Sequence, residues 1–336
     1  MRNSSKSFKI ALIILLFLCT YILLFFASLY NGGFKISFSN IIKYCFGKDI
    51  PREQYFILHF IRLPRFLMAS LVGVSLSIAG VAFQGILQNP LADPYLIGTS
   101  SGATLGALIY FIFLSSWSKF GLTVFAFIGS VTASFITYFV SIKNGRTTST
   151  RLILAGVVTN SLFSAVSTYL TIFRWRDIQR INFWLFGSFS NSYWYDIKVL
   201  FPILIISFFL LFFRYNSLNV ISLGEEKAIQ TGLNVRIFRI YVFIVASLVT
   251  SVAVSFSGII GFVGLMIPHI ARFFVGPNHK FLLPLSALIG AIFLPFCDLL
   301  AKTTLYPAEI PVGVITSIIG GVFFMLLLRF KGWNNE

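Results

Sequence analysis

The sequence predicts an all-α polytopic membrane protein of about ten transmembrane helices, and three observations predict it. Hydrophobic residues fill 57% of the 336 positions and charged residues only 11%, with a mean hydropathy of +0.89; a soluble core of this size does not run on so little charge. Apolar runs near the ~20 residues that cross a bilayer recur along the whole chain. Glycine and proline interrupt some of these runs, as in membrane helices that line cavities or pack on neighbours.

Taken in order, windows of span length fall near 9–30, 62–84, 95–115, 121–142, 151–172, 195–213, 239–257, 259–275, 281–301 and 311–329. The first follows Arg2, Lys6 and Lys9 like a signal peptide, but it is longer and lacks a small-x-small cleavage site, so a retained span is expected. The eighth is short and broken by Gly258, Gly261, Gly264 and Pro268, the pattern of a discontinuous helix at a cavity. An even number of spans places both termini on one side. Fourteen of the 26 Lys and Arg residues then share that side, a lean toward cytoplasmic termini. Arg62, Arg65, Arg174, Arg176, Arg180 and Lys302 fall at the opposite, outer ends of spans. The net charge of +16 contains no basic run of the kind that binds nucleic acid.

One polar interruption stands out, Ser222 to Val235. Ser222 lies three residues before Glu225, the spacing of a capping box, and Gly232 suits a left-handed helix stop. A short amphipathic helix outside the bilayer is either a handle for a partner or an ordinary solvated loop helix.

Other polar signals lie on the spans. Arg62-Leu63-Pro64-Arg65 opens the second span with Pro64 in its first turn and two cations three residues apart, against the helix dipole. They either anchor at lipid phosphates or receive an acidic group from outside. Asp93 and Pro94 form a helix start, and Gly98, Gly102 and Gly106 line one face for close packing. Gly156, Asn160, Ser164 and Thr168 recur at spacing four in the fifth span, echoed by Gly313, Thr316, Ser317 and Gly320 in the tenth. Such stripes face either a helix or a watery path.

Several chemistries find no support. Cys19, Cys45 and Cys297 show no pairing or metal spacing, and His59, His269 and His279 are scattered. No phosphate-binding G-x-x-x-x-G-K-[ST] loop is present, so the chain is not itself expected to hydrolyse nucleotide. An ion-coupled secondary transporter needs an ionisable group within the bilayer. The main candidate is Asp298, which can cap its helix or pair with Lys302 one turn on.

RLPR, QNPLADPYLIGTSSGA, RLILAG, LGEEKAIQTGLNV, GFVGLMIPHIAR and AEIPVGVITSIIGG occur in this order across essentially the whole chain. Together they resemble the FecCD family of ABC-importer permeases, which handle iron chelates, haem and cobalamin. The resemblance implies a single permease domain over 1–336, with spans 2–5 and 7–10 as inverted repeats and 214–238 as a cytoplasmic coupling loop. It implies a second permease subunit, identical or homologous, two ATP-binding subunits and an extracytoplasmic solute-binding protein. ATP and Mg would sit in those ATPase subunits, and no cofactor on this chain. The expected setting is the cytoplasmic membrane of a bacterium, with both termini inside.

Residue by residue, the resemblance assigns Arg62, Arg65 and Lys302 to a pocket for glutamates of the binding protein. Members that import cobalamin carry arginine at the third position, and lysine keeps the charge without the planar fork. Gly224, Glu225, Ala228 and Gly232 match the helices that seat in the ATPase. Ser149 and Thr150 match one cytoplasmic gate, and Asn89 and Leu91 a second. A path at the dimer interface would run along Gly156, Asn160, Ser164, Thr168, Gly313, Thr316 and Ser317. The expected cargo is a ferric siderophore or related iron chelate, with haem and cobalamin as alternatives.

Overall fold

A computed structural model of the protein describes residues 2–114, 118–173 and 178–330. Among them the chain is all-helical. Its elements are α1 (Arg2–Tyr30), α2 (Phe38–Cys45), α3 (Arg52–Phe56), α4 (Leu63–Leu87), α5 (Thr99–Phe113), α6 (Lys119–Ser141), α7 (Ser149–Phe173) and α8 (Ile178–Leu185). There follow α9 (Trp194–Phe212), α10 (Tyr215–Ser222), α11 (Glu225–Gln230), α12 (Val235–Ser257), α13 (Val263–Val275), α14 (His279–Thr303) and α15 (Val312–Phe330). Arg174 and Arg176 lie outside the described residues.

Among the described residues, eight helices are long and apolar enough to cross a membrane, and the apolar helices α5 and α13 are shorter. These ten match the ten predicted windows. At 1.5 Å per residue, α5 and α13 reach only ~20 Å, short of the ~30 Å hydrocarbon layer. Each follows a break in the chain. A single 3-10 turn over Pro94–Ile97 precedes α5, and the irregular stretch from Gly258 to Phe262 precedes α13.

The order helix, break, short helix, long helix, long helix thus appears twice, in α4–α7 and in α12–α15. With every apolar helix crossing once, α5, α6, α7 and α9 separate α4 from α12, so the two sets run in opposite directions. That is the predicted inverted repeat.

α4 and α12 form the centre, with 83% and 72% of their best apolar windows buried, whereas α1, α7 and α15 have 17%, 28% and 22%. Glycines set the close contacts of α4. A side chain at Gly73 would meet the Gly290 carbonyl of α14 at 2.1 Å, and one at Gly80 the Gly264 carbonyl of α13 at 1.8 Å. In membranes, where apolar burial between helices is worth little, such close approach is the main source of packing energy. Gly102 and Gly106 likewise press α5 on α6, at Gly129 and Phe125, the packing role expected of them.

A π-helical turn over Ile57–Arg62 joins α3 to α4. Pro64 explains its position: proline withholds an N–H and crowds the carbonyl four residues back, and the wider turn relieves both. The helical run therefore starts at Arg52 rather than at Arg62.

Candidate functional site

The handle is α10 and α11 with the turn between them. α11 begins at Glu225, and its two first-turn acids, Glu225 and Glu226, sit favourably at the positive end of the helix dipole. Gly224 takes φ +124°, a region where a side chain strains the backbone. At the other end Gly232 is left-handed at φ +81°, and the amides of Gly232 and Leu233 return to the carbonyls of Ile229 and Ala228, a Schellman stop. Ala228 is fully buried, while Leu223 and Ile229 are 68% and 60% exposed.

The expected capping box does not form. Ser222 is still the last residue of α10, and its hydroxyl donates back to the Leu218 carbonyl at 2.6 Å, the usual bond of a serine inside a helix. The Glu225 carboxylate turns instead to Arg239, which donates to it from a terminal nitrogen at 2.9 Å.

Arg239 joins the handle to the gate segment. It lies one turn into α12, is 1% exposed, and also donates to the Thr147 carbonyl. Its Nε has no partner among the described residues. A buried cation held this way depends on its partners, because removing one leaves charge unpaired in the interior.

Thr147 is two residues ahead of Ser149, whose hydroxyl donates to the Ile86 carbonyl at the end of α4. Two residues on, left-handed Gln88 sends its side-chain amide to the Ile221 carbonyl of α10 at 3.0 Å. Asn89 closes the adjacent turn by accepting from the Leu91 amide. Both predicted gate segments, Asn89 with Leu91 and Ser149 with exposed Thr150, are therefore brought to one end of α4, beside the handle. Gln84 ties the same turn to α13, donating to the Ala92 and Leu265 carbonyls and accepting from Arg272. Asp93 accepts from the Tyr95 amide at 2.7 Å, the expected cap. Burial pushes its carboxyl up to about 6, against the pull of that amide.

The predicted stripes divide. A side chain at Gly156 would strike the Leu96 carbonyl at 1.9 Å, and one at Gly313 the Phe186 carbonyl at 2.2 Å. Thr316 is fully buried and bonded to the Gly313 carbonyl. Asn160 donates to the carbonyls of Tyr95 and Leu96 and braces the break before α5. These four are packing residues, because the chain breaks that shorten α5 and α13 bring backbone against α7 and α15. Ser164, Thr168 and Ser317 are exposed and remain placed to line a path.

The basic residues expected at the outer face also separate. Arg62, 6% exposed, turns inward and donates to the carbonyls of Leu29, Tyr30 and Phe34, fastening the chain after α1. The π turn sends it away from Arg65. Arg65 engages Asp298 through Nε and a terminal nitrogen, at 2.8–3.1 Å, and its other terminal nitrogen reaches Glu309 at 2.8 Å. Lys302 donates to the Ser28 carbonyl at 3.0 Å. Asp298 thus pairs with Arg65 across the α4–α14 contact, not with Lys302 on its own helix. Antiparallel packing through Gly73 and Gly290 explains this, since Arg65 and Asp298 each stand eight residues from the glycine of their own helix. Bound so closely, Asp298 is not the free intramembrane carboxylate that an ion-coupled carrier would need.

Among the described residues no group of three or more His, Cys, Asp or Glu is placed to hold a metal.

The profile of the FecCD transport family matches residues 18–330. A cobalamin import system permease protein of Halobacterium salinarum is 41% identical over 280 residues, covering 83% of this chain and 75% of that protein. An Fe(3+)-citrate import system permease protein of Bacillus subtilis is 35% identical over 335 residues, 99% of this chain and 97% of its own length. A metal-chelate type ABC transporter solved in an inward-facing conformation superposes with a TM-score of 0.83 at 32% identity, over 94% of this chain and 98% of that one.

Proposed function

This chain belongs to the FecCD transport family, and from that premise we propose that it carries a ferric siderophore or related iron chelate into the cell as the permease subunit of a binding-protein-dependent ABC importer. It is not itself an ATPase; ATP and Mg belong to two separate ATP-binding subunits, and no cofactor is assigned to this chain. The observation that carries the reading is the short polar handle, α10 and α11, bonded to both gate segments through Arg239 and Gln88.

The mechanism follows from that arrangement. The exposed apolar side chains Leu223 and Ile229 give an ATPase cleft something to grip on either side of the Glu225 turn. When ATP closes the paired ATPases, the handles are displaced and the two permease halves rock about the breaks before α5 and α13. Alternating access results. α7 and α15 leave wide uncovered faces, and on α7 that face mixes Ser161, Ser164, Ala165 and Thr168 with larger apolar residues. Small and hydroxyl-bearing residues suit a close helix partner or a watery path better than lipid. A second permease subunit therefore meets this chain there, with the cargo passing between them. In this proposal both termini lie in the cytoplasm, and the binding protein docks on the opposite face at the Arg65 cluster.

An iron chelate is supported by the relatives named for ferric citrate and for iron hydroxamates, of which the first matches nearly end to end. Haem and cobalamin are the alternative cargoes, named for relatives at 38% and 41% identity. The test is uptake into proteoliposomes holding the permease with its ATPases and binding protein. ATP-dependent entry of a radiolabelled ferric chelate is expected. Entry of haem or cobalamin alone would overturn the cargo, and entry of none would overturn the import reading.

A further inference from the structure

We propose that Arg239 is the positioning residue that transmits displacement of the handle to the gate, an inference that rests on the coupling role given above to α10 and α11. The links form a closed circuit. Glu225 accepts from Arg239, which holds the Thr147 carbonyl; Ser149 then holds the Ile86 carbonyl; and Gln88 returns to Ile221 in α10. Three covalent stretches of at most five residues, 147–149, 86–88 and 221–225, complete the ring.

The hairpin between α6 and α7 shows why Arg239 matters most in this ring. Lys143, Asn144, Gly145 and Arg146 are exposed, whereas Thr147 is buried and its carbonyl is fastened by Arg239. The gate segment that begins at Ser149 is thereby anchored to the root of α12, next to the handle, rather than following the free hairpin. Guanidinium suits this task, because its planar fork holds two oxygen acceptors in fixed relative positions. A lysine at this site offers a single mobile point charge. An exposed carboxylate on one arm and a buried carbonyl on the other make a lever whose two ends sit on different elements.

A residue that only stabilised the fold would change thermal stability and leave the coupling ratio alone. The experiment therefore measures cargo imported per ATP hydrolysed in the reconstituted complex, together with its unfolding temperature. Arg239→Met, unbranched and without donors, is expected to lower the ratio at least about five-fold, the lower end of typical couplings between sites. Arg239→Lys is expected to recover part of that loss. Glu225→Gln weakens the same link from the exposed side by removing its charge and is expected to lower the ratio too, which keeps the test available if Arg239→Met does not assemble. An unchanged ratio in Arg239→Met, or in Glu225→Gln and Arg239→Lys together, overturns the proposal. Failure of the unaltered complex to import on ATP defeats the coupling reading beneath it, and is told apart by being present before any substitution.

Discussion

Arg239 and Glu225, fourteen residues apart, meet at 2.9 Å with the cation 1% exposed and the carboxylate side chain 42% exposed. A pair with one face in solvent and one in the protein interior is disturbed most easily from the solvent side. The handle therefore offers a partner direct access to a buried contact. Charge reversal by Glu225→Lys places two cations together and should dislodge α11. Weakened retention of the ATPase subunits through a detergent purification is the expected result, with the permease itself still folded.

Gly224 gives a second prediction about the same turn. Its φ of +124° strains any L side chain, although nothing lies within 4 Å of the added carbon. Gly224→Val should thus cost ~1–3 kcal/mol through backbone strain alone. A lowered ratio of uptake to hydrolysis is expected, and an unaltered ratio would show that the turn is free to relax.

On the opposite face, Arg65 is already occupied by Asp298 and by the more exposed Glu309. In the proposed docking, an incoming glutamate competes with Glu309. Glu309→Gln should tighten docking of the binding protein about two- to five-fold, the range of a pair worth ~0.5–1 kcal/mol. Surface plasmon resonance at low salt reads this directly. Arg65→Glu should abolish docking, and undiminished affinity in that variant would remove Arg65 from the docking surface.

Asp93 supplies a pH dependence. Its folded-state value of about 6 lies above the usual ~3.9 of an unfolded aspartate. As pH rises from about 4 to 6 the unfolded chain releases this proton first, so the site's contribution to stability falls over that window and is constant above it. The unfolding temperature of Asp93→Asn should accordingly lack one component of the pH dependence seen with aspartate. Superimposable profiles for the two proteins would contradict this.

Much of the architecture was legible because membrane helices announce themselves by length. All ten windows became helices, and Gly102 and Gly106 packed as their spacing required. Signals that depend on one turn of backbone were less readable. The π turn before Pro64 redirected Arg62 into the carbonyls at and just after the end of α1, which no spacing rule foresees. Contacts between distant helices were hidden as well, and the Arg65–Asp298 pair joins residues 233 positions apart through glycine packing. Arg239 carried a usable signal: a cation one turn into a largely apolar helix is costly to bury and demands a partner. It was masked by lying next to a loop, where positive charge is commonplace.

The central claim is that force from nucleotide-driven subunits enters this chain through α10 and α11. Its most direct measurement is cargo uptake by proteoliposomes containing the full complex, with ATP or a non-hydrolysable analogue inside. Accumulation with ATP, and none with the analogue or with the permease alone under a proton gradient, is the predicted result. Accumulation by the permease alone would contradict it.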